Sequence, residues 1–366
     1  MHTQIRGTRR WVPSLTQRNV GPIGLDLGRS AARLIQFRKG SDQRLHLAAT
    51  ASVEIQGHDN LYDTLGPKLK FALREGGFRG RRLVVAMPAN DYRLISISYR
   101  RSAEQTHEQA IAEQMQDRLD GPMSDYVMDA IPVRSAARDA EQQALVAVCE
   151  RQRALSLLAC LDSAGLQADV IEVAPVALRR LVSKTHDGDQ NLTLIINTGR
   201  DRSYLTLLHG RRLLLDQSID FGETRLLQRL AESLDISIDQ ARGLIIRTGL
   251  HGLDPSSIED HREGETGVFN TLLEILRPAL NELVEHTDQA FMYAAAQTRG
   301  GGSASVLLFG ALSRWPGCAD VLSNMTRLTV TVPDADRLID GEHGDLHMPD
   351  YAVAAGLALR GLWHDT

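Results

Sequence analysis

Lysine is nearly missing from this chain: of 41 basic residues only Lys39, Lys68, Lys70 and Lys184 are lysines. None of the four sits in a GxxxxGK[ST] context, so no lysine is placed to reach a β- or γ-phosphate, and a P-loop NTPase is excluded. Cysteine is scarce too. Cys149, Cys160 and Cys318 are odd in number and widely spaced, which fits small buried hydrophobes in a reducing compartment and not a disulfide framework or a zinc set. No stretch approaches the ~18 apolar residues that a membrane-spanning helix needs. The opening segment, MHTQIRGTRRWVPSLTQRN, carries Arg6, Arg9, Arg10 and Arg18 without an acid, but lacks the apolar stretch of a signal peptide. It reads either as a basic tail or as a surface segment whose Trp11 touches an acidic membrane or a partner. A net charge of −5 gives no electrostatic pull towards nucleic acid. The expectation is a cytoplasmic protein.

What is present suits a globular α/β chain. With 366 residues, 43% of them apolar, there is material for two domains with buried cores. IGLDLG (23–28) and ARLIQFRKG (32–40) predict a strand, a tight turn and a strand, followed by a third strand, RLHLAATASVEI. A helix near 60–76 should stop at Gly76-Gly77. RLVVAMP and YRLISISY predict strands, and 102–120 predicts a polar amphipathic helix. Strands SDYVMDAIPV and QQALVAVC, a helix from Arg151 to Ala164 and strand QADVIEV follow, so that about 99–172 reads as an inserted unit. Pro175 opens a further helix, and THDGDQN reads as a polar hinge. Beyond it the pattern predicts helices over 222–234 and 237–247, a long helix over 266–298 kinked at Pro278, and a last helix, DYAVAAGLALRGL.

The second half repeats the opening. When IGLDLGRSAARLIQFRKG is set beside LIINTGRDRSYLTLLHG, Asp26 falls on Asn197, Gly28 on Gly199 and Arg29 on Arg200. A supersecondary unit that recurs once, ~170 residues on, predicts two lobes facing each other. Turns of this kind present backbone N–H groups to phosphate oxygens, and glycine lets backbone and phosphate approach. An acid beside each turn would hold Mg²⁺ through water or orient an attacking water. Asp26 supplies that acid in the first half. Asn197 accepts hydrogen bonds but cannot act as a base, a loss on the order of 10²–10⁴ in rate. A single DxG is as compatible with an ordinary turn; the matched pair is what points to a site.

The sequence here resembles the actin-like ATPase superfamily and, within it, the PilM family of type IV pilus machines. GLDLGRSAARLIQF, VVAMP, AEQMQDRLDGPMSDYVMDA, AGLQADVIEVAPVAL and YAVAAGLALRGL match that family's segments in order, over about 21–363. The resemblance implies an α/β fold of two actin-type lobes with ribonuclease H-like sheets. Residues 1–20 would be a basic tail, 21–190 the first lobe carrying the insert, and 191–348 the second lobe with a subdivision at about 236–300. Residues 349–366 would return to the first lobe as a helix, and only a short helical link, about 57–80, would stand where actin has its second subdomain. By the same resemblance, Asp26, Gly28, Arg29 and Ser30 match the first phosphate loop, with Asp26 towards the metal. Asn197, Thr198, Gly199 and Arg200 match the second. Gly310, Ala311 and Leu312, within FGALS, match the adenosine loop, and IDQAR places Asp239 and Arg242 near ribose and adenine. The implied cofactor is ATP with Mg²⁺. Arg29 stands where a small residue is usual, as a phosphate ligand or as a plug of the phosphate site. Ala311 replaces a glycine, and Asn197 replaces an acid, so hydrolysis is expected to be weak or absent.

The implied function is a scaffold at the inner membrane. It would bind the cytoplasmic N-terminal peptide of a PilN-like single-span membrane protein, in a groove at the first lobe and the insert. Contact with the pilus assembly motor ATPase is implied as well, and self-association is left open. A pilus, a DNA-uptake and a type II secretion machine share this module. Two other readings are an actin-fold small-molecule kinase, which needs an acid the second turn lacks, and a filament-forming membrane adaptor like FtsA. Elsewhere, DGEHGDLHMPD spaces His343 and His347 four apart among Asp340, Glu342 and Asp345, yet its glycines and proline predict a solvated loop. Ser203 and His209 have no acid to complete a triad and fall apart along one strand. The pairs in FRGRRL and HGRRLLL read as solvated turn charges, and RGGGSAS as a connector into the next strand.

Overall fold

A computed structural model describes residues 20–362 apart from 43, 56–60, 103, 134–140, 186–190, 251–262, 299–302 and 341–345, without side chains for Leu61, Asp63, Pro132, Val133 and 263–268. The basic tail, His343, most of the 185–191 hinge and the start of the glycine run lie outside the described residues.

The first half begins with β1 (Val20–Leu27), β2 (Ala31–Lys39) and β3 (Leu45–Glu54), a meander whose apolar residues pack on both faces. Helix α1 (Leu61–Glu75) leads to β4 (Arg82–Ala86), which pairs parallel with β1. After β5 (Tyr92–Tyr99), α2 (His107–Gln116), β6 (Tyr126–Val133) and β7 (Gln142–Glu150), the chain returns through α3 (Arg151–Ser163), β8 (Gln167–Glu172) and α4 (Ala174–Thr185). The second half runs β9 (Leu192–Thr198), β10 (Ser203–His209), β11 (Arg212–Ile219), α5 (Glu223–Leu234), α6 (Ile238–Thr248), α7 (Glu263–Thr298), β12 (Ala304–Gly310), α8 (Cys318–Thr326), β13 (Thr329–Thr331) and α9 (Ala352–Ala358).

Two five-stranded sheets result, in the same order: β3-β2-β1-β4-β8 and β11-β10-β9-β12-β13. In each, the first three strands form an antiparallel meander, and the two strands added later pair parallel. The likeness seen in two turns therefore extends to whole sheets. The inner faces of both sheets meet in one core, where Ile35, Phe37 and Val84 pack with Ile195, Leu307 and Phe309 around α4 and α9. The outer face of the first sheet is covered by α1 and α3, that of the second by α5 to α8. Helix α9 crosses β1 so closely that a side chain on Gly24 would strike the Ala354 carbonyl. It thereby brings the end of the described chain back onto the first sheet.

The inserted unit is shorter than the sequence suggests. Its sheet, β5-β7-β6, spans 92–150, and α2 covers one face through Ile97, Val146, Ile111 and Met115. The expected span of about 99–172 wrongly included α3 and β8. The buried face of α3, with Ala154, Leu157 and Leu161, packs in the core of the first lobe, and β8 joins its sheet beside β4. The helix expected over 102–120 is likewise only α2. Thr106 caps it in a reciprocal pair with Gln109, and that box fixes the start five residues later than the polar pattern does. Helix α7 runs through Pro278.

Candidate functional site

Both β-hairpins turn at the same end of their sheets. In the first, the Gly28 N–H donates to the Ala31 carbonyl at 3.1 Å; in the second, the Gly199 N–H donates to the Arg202 carbonyl at 3.0 Å. A Cβ on Gly199 would run into that carbonyl, so the turn requires glycine. Across the strand register, Asp26 faces Arg33 and Asn197 faces Tyr204. Behind the second turn, α5 begins with the Glu223 and Thr224 N–H groups on the Gly199 and Arg200 carbonyls, at 3.1 and 2.8 Å.

The end of β12 is fused to this turn. Gly310 has φ +78°, open to glycine, and it stands so close to β9 that a side chain would overlap the Thr198 carbonyl and lie 2.9 Å from Asn197 Oδ1. The Thr198 hydroxyl donates to the Phe309 carbonyl (2.9 Å) and accepts from the Leu312 N–H (2.8 Å). The loop is tied on its other side to the segment before α9. Ser313 Oγ meets His347 Nε2 at 2.8 Å, and Arg314 Nε donates to Asp350 at 2.7 Å. His347 is thus a loop residue bonded to serine.

Between the two lobes lies a cleft of about 880 Å³. Of the residues the sequence singled out, Asp26, Gly28, Arg29 and Ser30 line it from the first lobe. Asn197, Thr198, Gly199, Arg200, Arg242, Gly310 and Ala311 line it from the second. Two do not. Asp239, at the start of α6, points to solvent with its carboxylate 3.4 Å from Arg242, and the Leu312 side chain is buried while only its N–H serves the loop. Ser203 and His209 fall at opposite ends of β10, and the Ser203 hydroxyl donates to the Phe221 carbonyl.

The cleft also holds residues that motif reading passed over. Asp216, in the middle of β11, accepts from the Thr206 hydroxyl at 2.5 Å. Burial pushes its carboxyl up to about 6, against the lowering effect of Thr206. Burial likewise pushes Asp26 up to about 6, opposed by the charge of Arg33. Tyr92, at the root of the insert, and Tyr204 stand close enough for both carboxylates to raise their pKa further, after burial. Glu223 is fixed between Trp315 Nε1 (3.1 Å) and Arg242 (3.7 Å). The only sequence signal for Asp216 was one acid closing an apolar run, RRLLLD. Among the described residues the lining carries seven arginines and five carboxylates, an electropositive cleft in a protein of net charge −5. Two glycine turns with inward backbone, flanked by guanidinium groups, suit a polyphosphate anion.

The family model described as type IV pilus assembly protein PilM matches residues 24–362. A solved structure titled PilM-PilN type IV pilus biogenesis complex is similar at 21% identity and TM-score 0.74, covering 94% of this chain and 99% of that one. The ethanolamine utilization protein EutJ from Carboxydothermus hydrogenoformans is similar at 13% identity and TM-score 0.51, covering 96% and 91%. MreB 5 of Spiroplasma citri bound to AMPPNP is similar at 10% identity and TM-score 0.50, covering 94% and 95%. Together with the doubled sheet, these likenesses show a two-lobed actin-like fold.

Proposed function

Since the chain belongs to the PilM family of type IV pilus assembly proteins, we propose that it is a scaffold which captures the N-terminal peptide of a PilN-like membrane protein. The observation that carries this reading is the apolar surface where the insert meets α3. Helix α2 covers one face of β5-β7-β6; on the other, Tyr92 and Cys149 pack on the first lobe and Leu145 and Ile131 enter the core shared by the lobes, while Leu94, Ala147 and Val127 between and beside them stay open to solvent in part. Helix α3 flanks this face and turns Leu155 (52% exposed) and Leu158 (38%) outward, with Val127 of β6 at 38%. The Arg151 side chain holds the start of α3 to the Ser124 and Tyr126 carbonyls, so the flank is rigid. Exposed leucines on a pinned helix, beside a part-exposed apolar strand surface, suit a short apolar peptide, and capture requires no hydrolysis.

In this reading the cleft has a supporting role. A nucleotide would rest its phosphates on the two turns, with Asp26, Gly28, Arg29 and Ser30 on one side and Asn197 to Arg200 on the other. Its nucleoside would reach Gly310, Ala311 and Arg242. The ligand then clamps the lobes, and the insert is held at their junction. Localisation follows from the partner: the protein sits in the cytoplasm against the inner membrane, bound to the peptide. No helix among the described residues is long and apolar enough to cross a membrane.

Binding of a fluorescent peptide from the cytoplasmic N-terminus of a PilN-like protein tests the reading. Leu155→Glu with Leu158→Glu should weaken capture at least tenfold, about 1.4 kcal/mol or more, without lowering the thermal midpoint. Wild-type protein that ignores every such peptide would reject the scaffold reading.

A further inference from the structure

Mg²⁺ accompanies ATP in the cofactor expectation, and the donor set of this cleft does not suit it. An ion beside bound phosphates is usually held, largely through water, by one or two carboxylates. The first turn has one, Asp26, and it shares its strand register with Arg33, whose guanidinium lies beside the turn: a Cβ on Gly28 would be 3.7 Å from Arg33 Nη1. The second turn offers none to the cleft: Asn197 occupies the matched place, and Asp201, exposed and outside the cleft lining, accepts from the Thr224 hydroxyl at 3.0 Å. Asp216 lies on the same sheet face but two strands away, opposite the Thr206 whose hydroxyl it accepts. Glu223 is engaged by Trp315 and Arg242.

Cationic side chains stand where the carboxylates are missing. Arg29 directly follows Gly28, and Arg200 directly follows Gly199, so the doubled hairpin sets one guanidinium at each turn. Arg202, next to the second turn, is paired with Asp220 at 2.5 Å, and Arg200 makes no ion pair among the described residues. A guanidinium stays charged at any physiological pH and grips two phosphate oxygens through a planar fork.

We infer that the cleft binds a polyphosphate anion without a divalent metal, the guanidinium groups of Arg29, Arg33 and Arg200 neutralising the phosphates. The inference rests on the cradle reading of the two turns and is independent of peptide capture. Its ligand class is a nucleoside triphosphate or an inorganic polyphosphate, which share the recognised group.

Calorimetric titration of purified full chain with ATP and with tripolyphosphate, each in excess Mg²⁺ and in excess EDTA, decides the matter. The expected result is binding in EDTA that equals or exceeds binding in Mg²⁺, for at least one probe. If only tripolyphosphate binds in EDTA, the inference holds and the ligand is inorganic. A loss of tenfold or more on chelation for both probes overturns the inference but keeps the cradle. No binding of either probe in either condition overturns both, whatever the peptide assay shows. Arg200→Ser, on an exposed residue, should cut the affinity in EDTA about tenfold at unchanged thermal midpoint; unchanged affinity would count against it. Arg29→Ser with Asn197→Asp should create a Mg²⁺ requirement in a protein that otherwise has none.

Discussion

Asp216 keeps its proton to higher pH than an ordinary aspartate, because burial disfavours the charge more than the Thr206 hydroxyl favours it. The consequence for stability has a definite sign. The unfolded chain releases this proton near 3.8, as an ordinary aspartate does, and the folded chain near 6. Folding therefore retains a proton in that window, and stability falls as pH rises through it, by about 3 kcal/mol for the full shift. Asp26 adds a second contribution of the same sign. Asp216→Asn leaves an acceptor for Thr206 and removes the buried charge. It should raise the thermal midpoint at pH 7.5 and flatten its decline between pH 4 and 6, read by scanning fluorimetry; an unaltered slope would clear Asp216 of this role. At this scale the sequence showed what backbone chemistry demands. Gly28 and Gly199 were legible because a tight turn favours glycine there, and Asp26 because it stands just before the first of them. Asp216 and Glu223 were not, since one polar residue in a strand or at a helix start is equally at home in solvent. Asp239 misled for the converse reason: a helix start next to the cleft can still point its carboxylate away.

Elements were harder to assign to their sheet than to find. Strands β7 and β8 have similar apolar content, yet one completes the insert and the other extends the first lobe. What separates them is the partner edge, and a partner edge has no local signature. The inside of the lobe shows why β8 belongs there. Arg180 of α4 reaches Glu172 at the end of β8 through two bonds of 2.8 Å, and one of its nitrogens also donates to the Gly356 carbonyl of α9 at 2.8 Å. Arg360 joins the same carboxylate. Strand, helix and return helix thus share one buried ion pair, with both side chains under a tenth exposed. Arg180→Met should destabilise the fold by about 3–5 kcal/mol, because it strands Glu172 in the interior. Urea titration would show this as a lower midpoint at constant slope, and a change below about 1 kcal/mol would mean that Arg360 takes over the charge.

For the whole molecule, the repeated hairpin announced two lobes, and the sheets bear that out strand by strand. The contact between insert and second lobe was not legible, because it joins residues far apart in sequence. Strand β6 touches β11, and Ile131 and Leu145 of the insert enter the core shared by the lobes. A change in lobe separation would therefore act on the insert and on the apolar surface it carries. Peptide affinity measured with and without saturating ATP should differ, and ATP affinity should differ by the same factor with and without peptide. Equal affinities in both directions would make the insert an independent module.

The return of α9 has a further effect. Gly24 and Gly356 let the helix lie against β1 and α4, so the inner face of the first sheet lacks part of its cover without residues 352–358, although all five of its strands lie within 20–172. On the ribosome, every strand of the first sheet emerges before any of the second, yet the part of its inner face that α9 covers stays bare until the whole second sheet has followed.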